Sequence, residues 1–373
     1  MVDAPVVAIV PPEKSFPAWS GWDVLAICVF SAVCLLVFIG AGLLASGILA
    51  APRNMKVTDL ARDAHMIRIF LAAQALAYLV IFGCIFLVVR SRGDSSFAQA
   101  IQWNWPGMAV LKFFVGGILL ALAVDALSRY LPMPKSLPME DLFTNRTNAY
   151  LLAAFGLTLA PVMEELFFRG LLYPILRRSV ALGVSIPLVG LAVAAIYSTL
   201  AGHAWTPTLT MLFVLTIFAV ALAAVGRLYR PVRGATGLLL LVASASLGLA
   251  AIRAAWAGHA WNPLLTMLSI FSILVLGASL VGLRNRRLWG AVGLMVAIIS
   301  TSLGFAAIHG TQLGYAWAPL LSIFMVSIVF TLLREWRNSV AASFVMHCGY
   351  NFTLFSMLWY LSDHFRHLEK VSG

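Results

Sequence analysis

Hydrophobic residues run along the chain in long blocks, broken by short clusters of charge, Gly and Pro. At about 20 apolar residues per spanning helix, these blocks predict eleven helices, at roughly 24-50, 66-89, 107-131, 148-176, 181-200, 207-228, 235-256, 263-284, 288-309, 318-334 and 338-361. No soluble domain of any size is left over. The expected fold class is all-α, a polytopic membrane protein. The first block is longer than the ~7 to 15 residues of a signal-peptide core, so it reads as a retained spanning helix behind a flexible leader at 1-20.

Composition agrees with that pattern. Of 373 residues, 62% are hydrophobic and only 10% charged, and mean hydropathy is +0.95, outside the soluble globular range. The net charge of +11 does not point to nucleic acid, because the basic residues sit in short loops and form no basic face. Arg177 and Arg178; Arg227, Arg230 and Arg233; Arg284, Arg286 and Arg287; and Arg334 and Arg337 follow every second predicted helix from the fourth onward. Under the positive-inside rule these loops are cytoplasmic, which puts the N-terminus inside and the C-terminus outside. The loop at 51-65, with Arg53, Lys56 and Arg62, dissents. Cys28, Cys34, Cys84 and Cys348 all lie in apolar segments without Cys-x-x-Cys spacing, so they read as packing residues.

An internal repeat organises the second half. Ala-Ala-Ile-Tyr at 194-197 precedes Gly-His-Ala-Trp-Thr-Pro at 202-207. Related elements recur at 250-253 with 258-263, and at 306-309 with 314-319, a constant period of 56 residues. That length is two spans with their loops, so the predicted unit is a helix pair, present three times, with a tight turn at each Gly-x-Ala-Trp-x-Pro. The fourth residue of the first element is Tyr197, then Arg253, then His309, so the histidine stands there in the third copy alone. The expected division is a three-helix region at 21-146, a core at 147-361 with inserted pairs at about 193-304, and a tail at 362-373.

Three constellations within predicted helices could do chemistry. Glu164 and Glu165 lie in the apolar run 157-170, where one carboxylate costs roughly 2.5 to 3.5 kcal/mol on insertion scales and is by default a functional candidate. Arg169 is the i+4 neighbour of Glu165, while Glu164 points to an adjacent face; the bland reading is an ion pair that locks helices together. Phe305-x-x-x-His309 ends the ninth predicted helix, where a histidine also serves as a packing residue. His347-x-x-x-Asn351 puts two polar groups on one face of an apolar helix, which an interhelical polar contact would also explain. Asp125 with Arg129 has the spacing of a structural pair. Taken together, two carboxylates, two imidazoles and a carboxamide nearly complete the inventory for amide hydrolysis: a base for water, donors for the oxyanion and an acid for the leaving amine.

In that order on predicted membrane helices, Glu-Glu-x-x-x-Arg at 164-169, Phe-x-x-x-His at 305-309 and His-x-x-x-Asn at 347-351 resemble the motifs of the CAAX prenyl protease and bacteriocin-processing (Abi) family of intramembrane endopeptidases. The resemblance covers about 148-361. It implies a metal-independent glutamic-type protease that needs no cofactor. By position, Glu164 would activate water with help from His309, His347 and Asn351 would stabilise the oxyanion, and Glu165 and Arg169 would orient the site. The implied partners are the lipid bilayer and a membrane-associated peptide or protein, prenylated or carrying a leader, and the implied location is the bacterial inner membrane. The departure is the long separation of the first two motifs, read as two extra helix pairs added to a seven-helix core.

Depth gives a partial check. At about 1.5 Å per residue, Glu164 lies roughly 20 Å from Arg177 and His347 roughly 15 Å from Arg337, while His309 lies roughly 33 Å from Arg287. The last distance calls for helix tilt, a late helix start or a re-entrant 310-318 segment. Rival readings are a zinc-dependent membrane protease, weakened by the lack of His-Glu-x-x-His; a non-enzymatic scaffold or bacteriocin-immunity protein; and a transporter, weakened because the polar residues do not repeat with the helix pair.

Overall fold

The computed structural model describes residues 16–45, 63–143, 145–178 and 286–367, with side chains from 293 onward in the last stretch. Its long helices are α1 (Gly21–Ala45), α2 (Ala64–Ser91), α3 (Val110–Ser128) and α4 (Arg146–Leu157). After them come α5 (Leu159–Glu165), a π-helical stretch (Leu166–Leu172), α6 (Tyr173–Arg178), α7 (Arg286–Ile308), α8 (Trp317–Arg337) and α9 (Val340–Leu361). Counting α4 to α6 as one broken passage, these are seven of the predicted helices, with ends within a few residues of expectation. The other four, at 181-200, 207-228, 235-256 and 263-284, lie outside the described residues, as do the first two copies of the repeat. Gly21–Ala45, Ala64–Ser91, Gly107–Ser128, Arg146–Arg178 and Trp317–Arg337 are each long and apolar enough to cross a membrane.

Local chemistry sets the helix ends. The Asp63 side chain accepts from the His65 and Met66 amides at the start of α2, Asn145 caps α4, and Ser339 caps α9 through the Ala342 amide. The third Gly-x-Ala-Trp-x-Pro element forms the predicted tight turn. Gly314 and Tyr315 have φ of +58° and +55°, and Pro319 enters in the first turn of α8, where no helical hydrogen bond is lost.

The passages alternate in direction, as contacts at the two ends show. At one end Arg92 pairs with Asp23, Arg178 donates to the Pro17 carbonyl, and the Val340 amide donates to Gln102 O at 3.0 Å. There Arg177 also meets Glu335 at 3.5 Å. At the other end Asn148 Nδ2 donates to Ala64 O, the Met139 amide donates to Gln312 O, and the Tyr150 ring packs edge-on against Phe365. The first is the arginine-rich end, with Arg90, Arg92, Arg177, Arg178, Arg334 and Arg337.

A core of Ile27, Ala77, Ile81, Ile85, Leu166, Leu171, Leu176, Ala297 and Phe305 fills the space between α1, α2, the π stretch and α7. On the other side α3 and α9 touch backbone to backbone. A Cβ at Gly117 would strike the Met346 carbonyl and the Tyr350 amide, and one at Gly349 would strike the Phe114 carbonyl. Small residues at such a crossing let helix backbones approach closely. Asp125 and Arg129 pair at 3.1 Å with side chains 36% and 76% exposed, as their spacing predicts. All four cysteines are free thiols.

Candidate functional site

The site forms where the fourth predicted helix breaks. Thr158, at φ −123° and ψ −79°, separates α4 from α5, and Pro161 has no N–H to give the Leu157 carbonyl. The two carbonyls freed there turn to α9. Asn351 Nδ2 donates to Gly156 O at 2.7 Å, and Cys348 Sγ donates to Leu157 O at 3.6 Å. A second irregularity follows at the π stretch, where the Tyr173 amide donates to Phe168 O. In that register the Arg169 carbonyl would look to residue 174, which is Pro. Arg334 supplies the missing donor, with Nε 3.3 Å from Arg169 O. π segments inside α-helices occur often at functional sites.

Arg169 and Glu165 are fully buried and pair at 2.9 Å. The guanidinium also donates to Thr331 Oγ1 (3.4 Å), Ser327 O (3.2 Å) and Ser327 Oγ (2.6 Å), and it sits 4.5 Å from the centre of the Phe305 ring. A cation over an aromatic face gains from the ring quadrupole. Glu165 accepts from three side chains: Arg169, Ser343 Oγ at 2.6 Å and His347 Nδ1 at 3.0 Å. Its carboxylate is therefore taken up by protein donors. Glu164 is different. It is 15% exposed and faces His347 Nε2 at 3.7 Å, so His347 has one glutamate at each ring nitrogen.

His309 follows the end of α7. Because helix α7 already begins at Arg286, a late start is not how the histidine reaches the site. Side chains on a helix lean toward its N-terminus, and the imidazole folds back that way. Its Nδ1 lies 2.8 Å from Phe305 O and its ring 4.9 Å from the Phe305 ring. A carbonyl only accepts, so Nδ1 carries the proton and Nε2 is left as the second polar position. The Phe305 ring in turn lies 5.9 Å from His347. Thus Glu164, Glu165, Arg169 and His347 form one contiguous chain, Asn351 stands one turn beyond His347, and His309 lies across the Phe305 ring, with no ion pair to either glutamate among the described residues.

Several contributors escaped the sequence reading. Ser343 has a legible signal, since Ser343, His347 and Asn351 repeat at four-residue intervals and share one face of α9. Ser327 and Thr331 are spaced the same way on α8. Gln102, in the loop before α3, bonds Arg334 Nη2, and Arg334 Nη1 donates to Asn338 Oδ1 at 3.2 Å. Nothing in the sequence pairs residues 102 and 334.

Glu165, Arg169 and His347 are thus buried inside a bundle of apolar helices. The family described as type II CAAX prenyl endopeptidase Rce1-like matches residues 146–244 and 226–353, together more than half of the chain. The chain belongs to this family of CAAX-protease-type membrane peptidases. No match is found among curated proteins or among solved structures.

Proposed function

We propose that the chain is a glutamic-type intramembrane endopeptidase that hydrolyses a peptide bond of a membrane-associated substrate. The observation that carries this reading is the division of labour between adjacent carboxylates. Glu165 is saturated by Arg169, Ser343 and His347, whereas Glu164 is partly exposed beside His347. Glu164 takes a proton from water as the water oxygen bonds to the carbonyl carbon, and the C=O electron pair moves onto oxygen. When the tetrahedral species collapses, the C–N bond breaks and Glu164 returns the proton to the leaving nitrogen. His309 helps to hold the attacking water. His347 and Asn351 serve the oxyanion, and Glu165 fixes the His347 ring much as the aspartate of a serine-protease triad fixes its histidine.

The arginine-rich end would face the cytoplasm of a bacterial inner membrane. The substrate would be a prenylated or leader-bearing peptide entering from the bilayer. Support for the inserted helix pairs comes from the two overlapping stretches in which the family matches, as a duplicated segment would produce. The test is cleavage of a peptide library by purified protein. Glu164→Gln is expected to lower turnover by about 10² to 10⁴ and His309→Ala by a smaller factor, both without loss of thermal stability. Turnover is expected to persist in strong chelator. Rates unchanged in Glu164→Gln, or lost in chelator, would overturn the reading.

A further inference from the structure

Resting on the hydrolase reading above, we infer that Tyr78 of α2 is a further catalytic residue, whose hydroxyl donates a hydrogen bond to the substrate carbonyl oxygen as that atom becomes the oxyanion. The site needs such a donor, because the residues assigned to the oxyanion are largely committed. Both ring nitrogens of His347 face glutamates, and the Asn351 amide already donates to Gly156 O at 2.7 Å. Only the second amide hydrogen of Asn351 is left over.

Between Arg68 and Arg90, helix α2 carries two side chains with nitrogen or oxygen, Gln74 and Tyr78. They are i, i+4 neighbours, and Gln74 Nε2 donates to the Tyr78 hydroxyl at 2.9 Å. That bond occupies the phenol oxygen as acceptor and leaves its O–H to donate. Accepting one hydrogen bond also strengthens the next one given. Among the described residues the Tyr78 proton has no acceptor.

Placement is equally specific. The Tyr78 ring stacks on Phe155, with centroids 5.7 Å apart and planes 30° apart. Phe155 directly precedes Gly156, whose carbonyl holds Asn351, so the Tyr78 ring packs on the residue next to that anchor. Tyr78 also packs against the core that contains Met163, Leu166 and Phe305, the residues flanking Glu164, Glu165 and His309. No proton changes hands: the O–H stays on tyrosine, and the interaction strengthens only as charge builds on the substrate oxygen.

The experiment measures kcat and KM for the library peptide that the wild type cleaves fastest. Tyr78→Phe keeps the ring and its stacking on Phe155. The expected result is a fall in kcat of about 10²-fold, with KM within twofold and thermal unfolding unchanged. Gln74→Met is expected to give a smaller fall in kcat, and none when added to Tyr78→Phe, because its effect runs through the hydroxyl. A wild-type kcat in Tyr78→Phe overturns the inference, as does a loss confined to KM. If that happens while Glu164→Gln is inactive, the hydrolase reading stands without Tyr78; turnover retained in Glu164→Gln overturns both.

Discussion

Glu165→Ala is expected to abolish turnover and to cost about 3 to 5 kcal/mol of stability, the usual penalty for leaving one member of a buried ion pair alone. The partner left behind would be Arg169, which is fully buried and would keep only Ser327, Thr331 and two aromatic rings. None of these carries a negative charge. His347 would also lose the acceptor that orients Nδ1, so the site would be disordered as well as unstable. Removing both charges separates the two effects. Glu165→Leu combined with Arg169→Met is expected to regain much of the lost stability, because an apolar pair needs no desolvation, yet to stay inactive because His347 is still unheld. Denaturant unfolding in detergent beside the cleavage assay checks both halves. Asp125 and Arg129 provide the control. They have the same spacing but are exposed, so Asp125→Asn is expected to change stability by less than about 1 kcal/mol and to leave turnover alone.

That contrast marks what was legible in the sequence. Spacing of four announced both pairs equally, because it reports only that two side chains share a helix face. Burial decides their worth, and burial depends on which helix lies opposite. The same limit explains Ser327, Thr331 and Ser343: hydroxyls are common in apolar helices, and nothing local says that these three meet one guanidinium and one carboxylate. The long helices were readable because hydrophobic length alone marks them, and seven of the predicted helices recur with nearly the expected ends, five of these passages being long and apolar enough to cross a membrane. The interruptions were not. Pro161 and Pro174 were visible as residues, but a proline announces a missing hydrogen bond without saying where the orphaned carbonyl turns. Here Leu157 turns to Cys348, and Arg169 turns to Arg334, across more than 160 residues of chain. The first third of the chain carried no motif beyond the Asp125 and Arg129 pair, so its other polar contributions, Gln74 with Tyr78 on α2 and Gln102 with Arg334 from the loop before α3, emerged from packing.

Gly349→Val is expected to yield no folded protein, and Gly349→Ala to lose turnover while keeping the fold at a cost of about 1 to 3 kcal/mol. The reason is that α9 carries Ser343, His347 and Asn351 on one face and is held against α3 by the other. At that crossing the atoms that would meet a new Cβ are backbone atoms of Phe114, which no rotamer change can move. Gly117→Ala meets the reverse side of the same contact, the Met346 carbonyl and the Tyr350 amide, and should behave alike. Gly116→Ala should not. Its new methyl would approach only the Met346 Cε at 2.8 Å, the end of a flexible side chain that can swing away. Adjacent glycines thus separate the backbone seam from general crowding. In the alanine variants that fold, α9 must move off α3 and so toward or along α5, where the gap between Glu164 Oε2 and His347 Nε2 is 3.7 Å. A displacement of about 1 Å in positioning groups is enough to cost on the order of 10² in rate. The expected signature is therefore a kcat loss in Gly117→Ala and Gly349→Ala larger than their loss of thermal stability would explain, with Gly116→Ala near wild type in both. Equal behaviour of all three variants would mean that the seam does not position His347.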